Sequence, residues 1–184
     1  MASLKNRKVA ILTEEGFEQV ELTSPKNALE AAGAKVDVVS PRTGKIKAWN
    51  KTNWGIEIDV DKQLGQVNPN DYDALVLPGG VMNPDKLRQN KDAVAFVSAF
   101  LRDGKPVAAI CHAPELLIET GMLGGRTLTS YPSLQTDLKN AGAHWIDKDV
   151  VVDNGLITSR TPADLEVFNR KMIEEIAEGV HHPA

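Results

Sequence analysis

Two rhythms of apolar and polar positions take turns along this chain. KVAIL (8–12) and KVDVVS (35–40) are short, β-branched-rich runs that predict strands. Between them, PKNALEAAG (25–33) puts Pro25, Ala28, Leu29 and Ala32 on one helical face until Gly33 stops it. Residues 41–60 interrupt the alternation, and KIKAWN and GIEIDV there predict a hairpin-like excursion marked by Trp49 and Trp54. The alternation then resumes. YDALVLPGG (72–80) predicts a strand ending in a glycine pair, and DAVAFVSAFLRDG (92–104) a helix with Ala93, Val97, Phe100 and Leu101 on one face. KPVAAI (105–110) predicts a strand and APELLIETG (113–121) a helix closed by Gly121. RTLTSY (126–131) reads as a strand, SLQTDLKNAG (133–142) as a helix, and HWIDKDVVVDNGLITSR (144–160) as strands around an Asn154-Gly155 turn. TPADLEVFNRKMIEEIAEG (161–179) opens like a capped helix, with Thr161 before Pro162. Strands alternating with helices predict a parallel α/β sheet covered on both faces. Ligands bind such sheets beyond the carboxyl ends of the strands, and here LTEEGFE, LPGG and AICH are three such ends.

Composition narrows the choice of function. The length of 184 residues fits one domain spanning 1–184, with its core from about Lys8 to Ala177. A net charge of −4 with no block of like charges argues against nucleic acid as a partner. The apolar run Val9–Leu12 is too short for a signal peptide, and nothing approaches the length of a membrane span. A single cysteine allows no internal disulfide, so a reducing, cytoplasmic setting is expected. The four histidines and one thiol show no metal-ligand spacing, and His181 and His182 read as a solvated tail. No metal and no cofactor are expected.

That one thiol, Cys111, stands where a predicted strand turns into a predicted helix, beside His112. The plain reading is a small residue filling the core. The chemical reading is a nucleophile: the positive helix end favours a thiolate, and free amides there can receive an oxyanion. His112 offers one such amide, and Gly79 and Gly80 can bring another close. The corner resembles a nucleophile elbow without its flanking glycines, since Ile110 and Ala113 stand near the thiol instead. Three acids are candidates to act on it: Glu18, Glu21 and Asp85. Each alone reads as a surface charge, but a carboxyl packed against a thiol in an apolar crevice has a raised pKa and can donate to sulfur.

DYDALVLPGG, GKPVAAICHAPELLI, GRTLTSYPSL, NAGAHWID and VVVDNGLITSRTPADLEVFN, in that order, resemble the PfpI family of intracellular cysteine hydrolases, within the ThiJ/PfpI superfamily. The resemblance runs from about Lys8 to Ile173. It implies a flavodoxin-like three-layer sandwich with a mostly parallel central sheet. It implies a nucleophilic Cys111 in a strained turn, touched by Glu21 from a helix that starts near Glu18 and tolerates Pro25. It also implies a triad of Cys111, His112 and an acid from a neighbouring subunit, which falls on Asp85 where relatives commonly carry glutamate. The chain is therefore expected to form a homodimer or a larger homo-oligomer. Two further departures are Ala113, where a glycine is usual, and the opening Gly16-Phe17-Glu18. The family includes proteases, glyoxalases and deglycases, and their shared first step is thiolate attack on an electrophilic carbonyl or its adduct.

The resulting expectation is a cofactor-free cysteine hydrolase with a stress-protection role, acting on a small carbonyl compound, a glycated amino acid or a peptide. Cys111, His112, Glu21 and Asp85 are the expected catalytic set. Gly80 and His112 form the expected oxyanion hole, and Glu18, Gly79 and Ala113 the rest of the pocket. The alternatives are a non-enzymatic cysteine redox sensor and a stress-response binding protein on the same fold. A glutamine amidotransferase needs a late His and Glu close together, and His144 and Glu166 are too far apart in sequence for that.

Overall fold

The computed structural model describes residues 2–182. From the amino end, β1 (Lys8–Leu12) leads into α1 (Gln19–Ala31) and β2 (Lys35–Ser40). The hairpin of β3 (Lys45–Asn50) and β4 (Asn53–Asp59) follows, then β5 (Lys62–Gln63) and β6 (Ala74–Leu77). Next come α2 (Met82–Arg88), α3 (Lys91–Arg102), β7 (Val107–Ile110), α4 (Pro114–Ile118) and β8 (Thr127–Leu128). The chain ends with α5 (Gln135–Asn140), β9 (His144–Trp145), β10 (Val151–Asp153), β11 (Leu156–Ser159) and α6 (Leu165–Glu178).

The main sheet has the order β10-β11-β7-β6-β1-β2-β5, parallel throughout except for β10. From β1 the chain first winds to one side, to β2, and then returns to the other side at β6. The carboxyl ends of β1 and β6 therefore flank a topological switch point, where a doubly wound sheet leaves a crevice. Period-two alternation divides the core into two layers. Val9, Ile11, Val76 and Ile110 pack with Leu22, Phe168 and Met172 on the α1–α6 face. Leu12, Leu75, Leu77 and Ala109 pack with Phe96, Phe100 and Leu116 on the α3–α4 face. Full burial of side chains such as Phe100 and Phe168 contributes about 1.5–3 kcal/mol each.

Several boundaries differ from those the sequence predicts. α1 begins at Gln19, as the family resemblance implies, and not at Pro25 where the local spacing places it. Proline in its interior removes one backbone donor, but Leu22, Pro25 and Leu29 are all buried, and that packing keeps the helix continuous. α2 is absent from the expectations because MNPDKLR is short and carries a proline, which its first turn tolerates. α4 stops at Ile118, not Gly121, because the next amides bond three residues back: Glu119 to Leu116, Thr120 to Leu117 and Gly121 to Ile118. His144–Trp145 joins β8 in a separate parallel pair rather than the hairpin at Asn154. Thr161 and Pro162 open a single 3-10 turn before α6 starts at Leu165. Of the two tail histidines, His182 is exposed as expected, whereas His181 is not. His181 folds back, its amide donating to the Gly104 carbonyl at 2.7 Å.

Candidate active site

Cys111 follows β7 directly and holds φ at +64°, left-handed backbone that a side chain adopts at a cost of about 1–2 kcal/mol. Two backbone hydrogen bonds impose it. The Cys111 amide donates to the Ser159 carbonyl at 3.0 Å, and the Tyr131 amide donates to the Cys111 carbonyl at 2.8 Å. β11 and the segment after β8 thus clamp the turn from both sides. The thiol is 8% exposed.

His112 Nδ1 lies 3.2 Å from Cys111 Sγ. The Nε2 of the same ring lies 3.4 Å from Ser133 Oγ, and the ring stacks on Tyr131 with centroids 4.6 Å apart. Desolvation lowers the His112 pKa, so the ring is neutral at neutral pH and can accept a proton. Ser133 and Tyr131 are site residues that sequence reasoning missed. Their only signal is TSYPS, a strand end followed by Pro132, and nothing in its spacing points to His112.

Glu21 is fully buried at the start of α1. Burial raises its pKa to about 8, the charge of Glu18 adds to the rise, and the Cys111 thiol and the amides of Gly79 and Gly80 oppose it. Neither carboxyl oxygen has a well-formed hydrogen bond among the described residues. Glu21 is therefore a neutral acid at neutral pH, with a proton to offer the sulfur. The thiol's own pKa is raised, first by burial and then by Glu21's charge, and drawn back by the amides of Gly80 and His112. This corrects the expected helix-dipole effect. α4 is one short turn, so individual amides favour the anion here, and burial outweighs them. With Glu21 protonated, its repulsion of the thiolate disappears.

The glycine pair makes this packing feasible. A Cβ on Gly79 would collide with Glu21 Oε1 and lie 2.7 Å from the Ile110 carbonyl and 2.8 Å from Cys111 Cβ. Gly80 has φ +84°, and a Cβ there would lie 2.7 Å from the Glu18 amide. Glu18 precedes α1, and its carboxylate accepts from the Lys51 amide at 3.3 Å, tying the β3–β4 hairpin over this end of the sheet. Ala113 does not crowd the thiol. Its conformation is helical, at φ −55°, and it is buried in the α3–α4 core, whereas Cys111 packs with the α1–α6 core. Asp85 stays apart from His112 within the chain: it is exposed on α2, near Arg88 and Glu115. A cleft of about 390 Å³ bounded by Leu22, Lys26, Val38 and Ile58 lies beside α1 and does not include Cys111.

A thiol, an imidazole and a neutral carboxyl thus meet at the carboxyl edge of a doubly wound α/β sheet, and this defines a protein of the cysteine-centred α/β class. Residues 7–175 match the DJ-1/PfpI family, and the chain belongs to it. It is 44% identical to the deglycase TK1284 of Thermococcus kodakarensis, over 91% of this chain and 98% of that one. It is 42% identical to YraA of Bacillus subtilis, named as a candidate cysteine protease, over 91% of this chain and 97% of that one. Its fold superposes on Drosophila melanogaster DJ-1beta with a TM-score of 0.84 at 32% identity, covering 96% of this chain and 91% of that one. No helix among the described residues is long and apolar enough to cross a membrane.

Proposed function

We propose that this chain is a cofactor-free cysteine hydrolase acting on glycated amino acids or peptides, with Cys111 as the nucleophile. The observation that carries this reading is the arrangement around the chain's only thiol. It is clamped at φ +64°, 3.2 Å from a neutral imidazole and packed against a protonated carboxyl. Deglycase relatives over nearly the whole chain favour the glycated substrate.

In the first step the thiol proton passes to His112 Nδ1, while the Nε2 proton faces Ser133 Oγ. On a carbinolamine adduct sulfur attacks the carbon that carries the amine, and the S–C bond forms as the C–N bond breaks with its pair leaving on nitrogen. Once His112 is neutral again it takes the C–H proton of the resulting hemithioacetal, so that the neighbouring carbonyl becomes an enediolate oxyanion. The amides of Gly80 and His112 receive that oxyanion. Glu21 supplies a hydrogen bond to sulfur while it is an anion, and His112 returns its proton to the departing amine. Return of that proton to the neighbouring carbon turns the enediolate into a thioester, and water then releases the hydroxy acid from sulfur. Asp85 of a second subunit is the acid that orients His112, so the working unit is a homodimer or larger.

The test is steady-state kinetics with a glycated amino acid, methylglyoxal and a chromogenic peptide. Cys111→Ala is expected to lower turnover of the glycated substrate by roughly 10³-fold or more, with an unchanged circular dichroism spectrum. Turnover that survives this substitution removes the proposal. Peptide cleavage alone would shift the reading to a protease.

A further inference from the structure

The far end of the sheet carries a second cluster that the thiol chemistry does not use. Glu175 and Glu178 stand one turn apart at the end of α6. The chain then turns at Gly179, with φ +93°, and brings the His181 ring back beside them. His181 Nε2 lies 3.0 Å from Glu175 Oε2 and 3.7 Å from Glu178 Oε2. One ligand atom from each residue falls within 4.8 Å of the other two. Ligands at the usual zinc bond length of about 2.0–2.1 Å stand roughly 3.3 Å apart around a tetrahedral ion. The observed separations bracket that value.

The state of the imidazole adds a second observation. Nε2 is sealed from solvent, yet it makes no hydrogen bond among the described residues despite the 3.0 Å approach to Glu175. The carboxylate oxygen lies off the axis of the ring nitrogen. A simple ion pair would align the N–H with the oxygen, whereas metal ligands aim at a shared point between them. The tail is also seated specifically. The His181 amide donates to the Gly104 carbonyl at 2.7 Å, and a Cβ on Gly104 would strike the His181 carbonyl. A Cβ on Gly155 would press on the His181 ring at 3.1 Å.

We propose that Glu175, Glu178 and His181 bind a divalent transition-metal ion of the zinc class, which fastens the C-terminal tail to the body of the protein. The Glu178 side chain is 63% exposed, leaving a position for water as the fourth ligand. Two carboxylates and a neutral imidazole match the ion's charge and its preference for nitrogen and oxygen donors. Gly104 and Gly155 precede β7 and β11, so the site lies at the amino ends of these strands, opposite Cys111. It is a structural site, independent of the hydrolase reading.

The experiment uses the full chain carrying Cys111→Ala, so that the thiol cannot bind the ion. Zinc is titrated by calorimetry, and cobalt by the visible absorption of a tetrahedral centre. A single saturable site and a zinc-dependent rise in melting temperature are expected. His181→Gln and Glu178→Gln should each weaken binding by at least about tenfold, while His182→Gln should not. With Cys111 intact, Glu178→Gln should leave turnover unchanged. If His181→Gln fails to fold, the exposed Glu178 decides. No saturable binding, or binding that Glu178→Gln leaves unaltered, overturns the proposal and leaves His181 as a plain ion-pair clasp.

Discussion

At the residue scale, the site depends on where side chains are missing as much as on where they are present. Gly79 leaves room for Glu21 and Cys111 to touch, so Gly79→Ala is expected to cost at least about 2 kcal/mol by urea denaturation and to slow thiol alkylation. Glu21 sets a pH dependence whose sign follows from its raised pKa. The unfolded chain releases this proton near the ordinary value of 4.5, while the folded chain holds it to about 8. Its contribution is full below pH 4.5 and is lost as the pH rises to about 8, at roughly 1.4 kcal/mol per pH unit inside that window. Glu21→Gln, which cannot titrate, should flatten stability across the window, and identical slopes in variant and wild type would refute the raised pKa. Cys111, His112 and Glu21 were legible in the sequence because a lone thiol at a strand end draws attention to its neighbours and family motifs to the carboxyl. Ser133 and Tyr131 were not, because they reach His112 only after the chain has folded back from β8.

At the element scale, alternation marks strands and helices well, and boundaries poorly, wherever tertiary packing overrides local chemistry. The β1–α1–β2 order and the hairpin at residues 45–59 follow from patterning alone. The start of α1 does not, since Pro25 reads locally as a beginning; the family resemblance puts the start near Glu18, and the burial of Leu22 and Leu29 is the physical reason that the helix runs through Pro25. β8 and β9 are too short to signal a pair that closes only by long-range contact. The β11–α6 junction shows how one side chain can fix an element. Buried Asp164 accepts from the Arg160 amide and Nε, each at 3.0 Å, and from the Thr161 amide at 3.3 Å, while Arg160 also reaches Asp147 at 2.8 Å. Asp164→Ala leaves these donors without their acceptor and should cost about 2 kcal/mol in urea unfolding. Because β11 supplies the Ser159 carbonyl that holds the Cys111 amide, the same variant should lower thiol reactivity, and Asp164→Asn should recover part of both losses.

At the scale of the whole molecule, the edge that carries Cys111 presents a face that a second copy can cover. Val81, directly after the glycine pair, is 65% exposed, and Tyr131, stacked on His112, and Val20 on α1 are each 39% exposed. Apolar side chains gathered around a polar site are what an interface between subunits buries. Among the described residues of one chain the outer nitrogen of His112 meets only a serine hydroxyl at 3.4 Å, while Asp85 lies exposed on a neighbouring helix. If Asp85 acts across a twofold interface, Cys111→Ala and Asp85→Ala proteins should each be inactive, or nearly so, by themselves. Mixed in equal amounts and allowed to exchange subunits, they form sites in which the cysteine of one chain meets the aspartate of the other. Random pairing restores about a quarter of wild-type turnover. A mixture that stays inactive while mass analysis shows mixed assemblies excludes a role for Asp85 across the interface. Full activity of Asp85→Ala alone excludes any catalytic role for it, and His112 would then work through Ser133 within its own subunit.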